Sequence, residues 1–287
     1  MSTTVSIAVC TYNGAEFLQQ QLDSLANQTI IPDEIIICDD DSNDLSVIIA
    51  QSFAQQHRDI KVKVVQNAQN LGYIKNFEKA ISLCTQDIIF LCDQDDFWQP
   101  EKIERTIAVF EAELDVGLVL HNFCWIDENN QPYPGPIDTY GPQKISAEQL
   151  PHEIKANSIA VFMQPYPRAW CGCMMAFRRS FNNIVMPIFP GKGHDDWILK
   201  ILAPITETRF IADALVGYRM HEHNTNRRDL DKKTLGYLLK RLVKNVTHLF
   251  KGYTKRNFYK KIITKIYSSK NVQIKHPKLL DLYKKYT

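Results

Sequence analysis

The chain has 287 residues, 45% of them hydrophobic and 23% charged, a globular balance that excludes a disordered polymer and suits one large α/β domain with an appendage. No apolar run reaches the roughly 18 residues of a membrane-spanning helix. The net charge of +2 conceals a division: from Lys232 onward 16 Lys/Arg stand against one acid, Asp281, so this tail carries +15 and the remainder −13.

Val5–Cys10 reads as a buried strand, too short an apolar run for a secretory signal, and the expected location is the cytoplasm. Gly14 to Asn27 places Phe17, Leu18, Leu22 and Leu25 at helical spacing. Glu34–Cys38 is a second strand, cut off by Asp39-Asp40-Asp41, and Asn43 or Asp44 caps the helix that follows to about Gln56. Lys61–Gln66 is a third strand, Asn70-Leu71-Gly72 a turn, and Tyr73–Cys84 a helix. Asp87–Cys92 is a fourth strand, ended by Asp93-Gln94-Asp95-Asp96. Pro100 stands near the start of a helix running to about Glu113. Glu128–Pro151, rich in Pro and Gly, reads as a loop or lid. Trp170–Phe177 reads as a strand, His194–Leu202 as a short helix, and Arg209–Tyr218 as extended. Strands alternating with helices imply a mostly parallel sheet, with ligands bound beyond the carboxyl ends of its strands. Both acidic clusters fall at such ends.

The seven cysteines are odd in number, and several end apolar runs. They read as small buried hydrophobes of a reducing compartment. Cys171-Gly172-Cys173 has the wrong spacing for a zinc knuckle.

Four polar clusters carry candidate chemistry. Asp93, Asp95 and Asp96 repel one another unless screened; they form either a hard-oxygen site for Mg²⁺ or Mn²⁺ bridging two phosphates, or a solvated acidic turn. Asp39-Asp40-Asp41 is either a carboxylate site for a base or ribose, or a capped polar turn. In His194-Asp195-Asp196-Trp197 a carboxylate at a helix start serves either as a general base or as a cap. In Tyr218 to Asn224, Arg219 or His221 meets phosphate or metal, or belongs to a surface loop.

Six segments taken in order resemble bacterial glycosyltransferase family 2, most closely its rhamnosyltransferase-like branch. They are Val5–Asn13, Ile35–Asp44, Asn70–Asn76, Phe90–Trp98, Gly193–Trp197 and Tyr218–Asn224. The resemblance covers roughly residues 5 to 226. It implies a GT-A fold over 1–228, followed by a basic helical extension over 229–287. It also implies an inverting transfer of one sugar from a nucleotide-sugar donor, such as dTDP-rhamnose or a UDP-sugar, to a hydroxyl of a glycan acceptor in surface polysaccharide synthesis. By the same resemblance Asp95 is the direct metal ligand, and Asp93 lies near the metal or ribose. Asp40 and Asp39 hold the base. Thr11, Tyr12, Asn13 and Asn76 belong to the nucleotide pocket. His221 approaches the metal or diphosphate. Asp195 is the acceptor-side base, with Asp196 the alternative.

This sequence departs from the family pattern in two places: His194 stands where many relatives have Glu, and Asp196 where close ones have an aromatic. The Gln-x-x-Arg-Trp motif and membrane helices of processive synthases are absent, which points to single-residue addition. Two other readings remain: a nucleotidyltransferase of similar architecture, disfavoured because residues 5 to 20 hold no Lys or Arg, and a non-catalytic binding module. For the tail the readings are an anionic membrane surface, a solvated basic face, or nucleic acid; the glycosyltransferase resemblance favours the membrane.

Overall fold

A computed structural model describes residues 2–134, 171–189, 193–203, 205–222, 224 and 264. The lid residues 135–151, Trp170, His223 and all of the basic tail except Thr264 lie outside them.

The first half alternates as the periodicity predicts: β1 (Val5–Thr11), α1 (Ala15–Ala26), β2 (Glu34–Asp39), α2 (Ser46–Gln56), β3 (Lys61–Gln66), α3 (Tyr73–Leu83) and β4 (Ile88–Cys92). The second half holds β5 (Phe97–Trp98), α4 (Lys102–Ala112), β6 (Val116–Ile126), a 3₁₀ turn at Gly172–Met174 and β7 (Met175–Arg178). A second 3₁₀ turn at Arg179–Phe181 leads to α5 (Asn182–Val185), α6 (His194–Leu202) and β8 (Glu207–Arg219). The eight strands form one sheet in the order β3-β2-β1-β4-β7-β6-β8-β5. β1 to β4 are mutually parallel, β6 is parallel to β8, and β7 and β5 run antiparallel to their neighbours.

The period of two along the strands builds two cores, one on each face of the sheet. Val5, Ile7 and Val9 of β1 pack with Leu18, Leu22 and Leu25 of α1 and with Ile103, Ile107 and Phe110 of α4. Ala8 and Cys10 face the other way, toward Phe77, Ala80 and Ile81 of α3 and Ile198 and Ile201 of α6. Each fully buried Leu, Ile or Phe contributes about 1.5–3 kcal/mol, so burial on the central strands is a main source of stability among the described residues. All seven cysteines are free, and five of them are buried, as expected of small hydrophobes.

Three sequence expectations change. The long strand β6 is not predicted, because His121 and Asn122 interrupt its apolar run; the register shifts at that point. The predicted strand from Trp170 shrinks to Met175–Arg178, because Gly172–Met174 coils into a 3₁₀ turn. Glu128 does not open a free loop, because Asp127–Gln131 is a tight reversal. There the Asp127 N–H donates to the Gln131 carbonyl at 2.9 Å, and Tyr133 returns to Trp125. Among the described residues, no helix is long and apolar enough to cross a membrane.

Candidate active site

Parallel pairing sets Thr11 beside Asp39, with Val9 beside Cys92, so the three central strands release their loops at one edge. Thr11 is 2% exposed and its Oγ1 has no hydrogen-bond partner. The Tyr12 ring stands 47% exposed beside it. Asn13 adopts φ 48° and holds the facing loop, its N–H donating to Ser42 Oγ and its Oδ1 accepting from Asn43 N–H, both at 2.9 Å. Asp44 caps two helices at once. It accepts from Ala15 N–H at the start of α1 and from Ser46 N–H at the start of α2, each at 2.9 Å.

The carboxylates at the end of β2 are buried and already engaged. Asp39 accepts from the Ser42 N–H at 2.9 Å and its hydroxyl at 2.5 Å. Asp40 accepts from Asn67 Nδ2 at 2.7 Å and from the N–H groups of Leu71 and Gly72 at 2.8 and 2.9 Å. Three donors leave Asp40 one acceptor position, on Oδ2. Asn76 is 2% exposed, its amide tied to the Cys38 carbonyl and to Asn67. It fastens α3 to β2.

The acidic turn after β4 is the electrostatic centre. Asp93 is half-buried; burial and the charges of Asp96, Asp95 and Asp195 hold its proton affinity well above the carboxylate range. Asp195, about a hundred residues downstream, is near enough for its charge to add to this effect. Asp96 is pushed up to about 7 by burial and by Asp95. Beneath the turn lies Lys102, 0% exposed, donating to the Cys173 carbonyl at 2.6 Å with its ammonium 3.5 Å from the Trp98 ring centre. Burial lowers its pKa to about 8 despite the neighbouring Asp96 and Asp93. The Asp95 side chain is 21% exposed, its Oδ2 2.9 Å from Nε2 of the buried His221. The His221 ring leans on Phe17 at 4.8 Å, and the His221 backbone N–H donates to Asn224 Oδ1 at 2.6 Å.

Arg219, for which the sequence leaves open a phosphate or metal contact or a place in a surface loop, is fully buried. Its guanidinium donates to the carbonyls of Asp95, Asp127 and Glu128 at 2.8–3.0 Å, and to the side chains of Gln20 and Asn130. With its donors spent inside the protein, it locks the acidic turn to the 127–131 reversal.

On α6, Gly193 precedes His194, Asp195 and Asp196. Asp196 pairs with Lys200 one turn on. Asp195 folds over the helix start, its Oδ1 accepting the Asp196 N–H at 2.7 Å. Burial raises its pKa to about 6; the hydrogen bond from Asp196 opposes the shift and the Asp196 charge adds to it. His194 is buried, stacked on Phe77 at 3.7 Å, and burial drops its pKa to about 3.

Residues 6–184 match the model of glycosyl transferase family 2. The chain belongs to that family. An uncharacterised glycosyltransferase of Nostoc sp. is 28% identical over 77% of this chain and 66% of its own length. The chondroitin synthase of Escherichia coli is 26% identical over 79% of this chain and 30% of its own. The match thus spans less than two thirds of the length of each of these two relatives. Among solved structures, S. aureus TarS in complex with UDP-GlcNAc aligns with TM-score 0.61 at 15% identity, covering 99% of this chain and 71% of that one. A Pyrobaculum calidifontis mannosyltransferase in complex with GDP-Man and Mn²⁺ aligns with TM-score 0.57 at 20% identity, covering 92% and 72%. These likenesses place the described sheet and its helices in the GT-A fold.

For a family 2 member, two residue sets test whether a divalent ion fits. Asp93, Asp96 and Cys173 place ligand atoms within 4.8 Å of one another. That set contains a thiol whose pKa burial holds high, and it lies against the Lys102 ammonium, which opposes a second cation. Asp95 and His221 fit better: a carboxylate oxygen and an imidazole nitrogen at 2.9 Å, with no buried thiol in the set. Sequence reasoning missed Lys102, although a cation in the first turn of a helix opposes the helix dipole and is itself a signal of a special role. It also passed over Gln94, named only as the spacer between two carboxylates.

Proposed function

We propose that this chain transfers a single sugar from a nucleotide-sugar donor to a hydroxyl of a glycan acceptor, with inversion at the anomeric carbon. One observation carries the reading. Off the ends of β4 and β8, Asp95 Oδ2 stands 2.9 Å from His221 Nε2, while Asp195, with its pKa near 6, lies within electrostatic reach of Asp93.

In this reading Thr11, Tyr12 and Asn13 form the nucleotide wall, with the Tyr12 ring as the face for the base. Asp40 offers its remaining acceptor position to a base N–H, and Asp39 holds the loop beside it. Asp95 and His221, with Asp93 behind them, hold Mg²⁺ or Mn²⁺. When bound, such an ion supplies positive charge against the departing diphosphate. Asp195 takes the proton of the acceptor hydroxyl as its oxygen bonds to the anomeric carbon and the nucleoside diphosphate leaves. With one base and no protein nucleophile, the displacement is direct. Asp196 is the weaker candidate for the base, because its charge is held by Lys200.

The donor classes to test first are dTDP-rhamnose and UDP-sugars, with GDP-mannose beside them. Thermal stabilisation by each donor in EDTA and in Mn²⁺ tests the reading, since only a ligand of the folded state raises the melting temperature. Metal-dependent stabilisation by at least one donor is expected; none from any donor would sink the reading. The +15 tail supports docking of the −13 body on an anionic membrane that carries a lipid-linked acceptor. Co-sedimentation with anionic vesicles that fades as salt rises is expected, and equal loss from neutral and anionic vesicles at low salt removes that part.

A further inference from the structure

Gln94 sits between the two carboxylates of the acidic turn, yet its side chain points back to the first loop. Its Oε1 accepts from the Tyr12 N–H at 2.7 Å, and its Nε2 donates to the Tyr12 carbonyl at 3.2 Å. Both ends of one amide are thus spent on the backbone of one residue, in the manner of a rung between two strands. Gly14 makes room for this contact. A Cβ there would lie 2.2 Å from Gln94 Oε1, although its φ of −109° suits any residue. The glycine at position 14 therefore serves the Gln94 side chain and not the turn.

We propose that Gln94 is a positioning residue that couples the nucleotide loop to the metal-binding turn. It rests on the donor-and-metal reading above, because the two things coupled are the nucleotide beside Tyr12 and the cation at Asp95. Gln94 is bonded covalently to Asp93 and Asp95 and by hydrogen bonds to Tyr12. Settling of the acidic turn around a cation fixes the Tyr12 backbone, and settling of Tyr12 against a nucleotide fixes the turn. Linkage requires the effect to be reciprocal.

The test measures dissociation constants of UDP, GDP and dTDP for the full chain, each in EDTA and in saturating Mn²⁺. The ratio of the two constants is the coupling. Gln94→Ala is expected to lower that ratio about tenfold. Gln94→Glu, which loses the donor to the Tyr12 carbonyl, lowers it too. Gly14→Ala keeps the glutamine but displaces it, and is expected to do the same with the fold intact. If Gln94→Ala weakens binding equally with and without Mn²⁺, Gln94 only shapes the loop and the proposal falls. If the wild-type chain binds none of the three nucleotides, the donor reading fails instead. The coupling is then read from exchange of the Tyr12 amide hydrogen with Mn²⁺ alone: slowing in the wild type and not in Gln94→Ala upholds it, and equal exchange in both overturns it.

Discussion

Replacing Asp195 by Asn should make the protein more stable and nearly inactive at once. Burial raises the folded-state pKa of Asp195 to about 6, against about 3.9 for an unperturbed Asp. A raised carboxyl pKa means that the folded state prefers the protonated form. The associated stability is fully present below pH 4 and lost as pH rises through about 6. By pH 7.5 the ionised group costs about two pK units, or about 3 kcal/mol as an upper figure at 1.36 kcal/mol per unit. Asn removes the charge while its oxygen still accepts the Asp196 N–H. A gain of about 1–3 kcal/mol is expected, which for a chain of this size raises the melting temperature by roughly 2–4 °C per kcal/mol. Thermal melts of both proteins at pH 7.5 and pH 4 read this directly, since the gap should close at the lower pH. Turnover should drop by about 10²–10⁴, the usual range for loss of a general base. An Asn variant that melts at or below the wild type at pH 7.5 would refute the argument that the site keeps a carboxylate at a cost in stability.

In the wild type, acceptor turnover should fall about tenfold per pH unit below about 6, following Asp195; a rate that stays flat to pH 5 speaks against it as the base. Asp95→Ala should abolish the Mn²⁺ dependence of nucleotide binding and cost about 1–3 kcal/mol of stability in the free protein, because it removes a 2.9 Å contact to the buried His221; titration calorimetry in Mn²⁺ and EDTA reads the first and a thermal melt the second. Arg219→Lys should cost about 3–5 kcal/mol, because three ammonium donors cannot serve the carbonyls of Asp95, Asp127 and Glu128 and the side chains of Gln20 and Asn130; urea titration measures the loss.

The donor half was legible because each of its signals is local. Periods of two and 3.6 along residues 5–92 fix the strands and helices, and runs such as Asp39-Asp40-Asp41 mark where the strands stop. The second half was less legible because its strands pair out of order. β7 joins β4 to β6 in antiparallel fashion, and nothing in the composition of Met175–Arg178 announces its partners. In the site, Asp93, Asp95, His221 and Asp195 were visible as polar clusters; the structure sets Asp95 against His221 and puts Asp93 within the electrostatic influence of Asp95 and Asp195. The fates of Asn76 and Arg219 were not visible, because a side chain's partners depend on tertiary packing. A buried arginine bonded to carbonyls looks, in sequence, the same as one waiting for phosphate.

The placement of β6 beside β7 bears on how members of this family can diverge. Leu118 pairs with Phe177, and Arg219 holds the carbonyls of Asp127 and Glu128, so the chain leaves and re-enters the sheet at fixed points. The 45 residues between Ile126 and Gly172 join two fixed points of the sheet. For a flexible chain between fixed points, closure costs only about 0.6 kcal/mol more for each doubling of length. Inserting residues between these points therefore leaves the pairing of β1 to β4 as it is, because none of those contacts crosses the insertion.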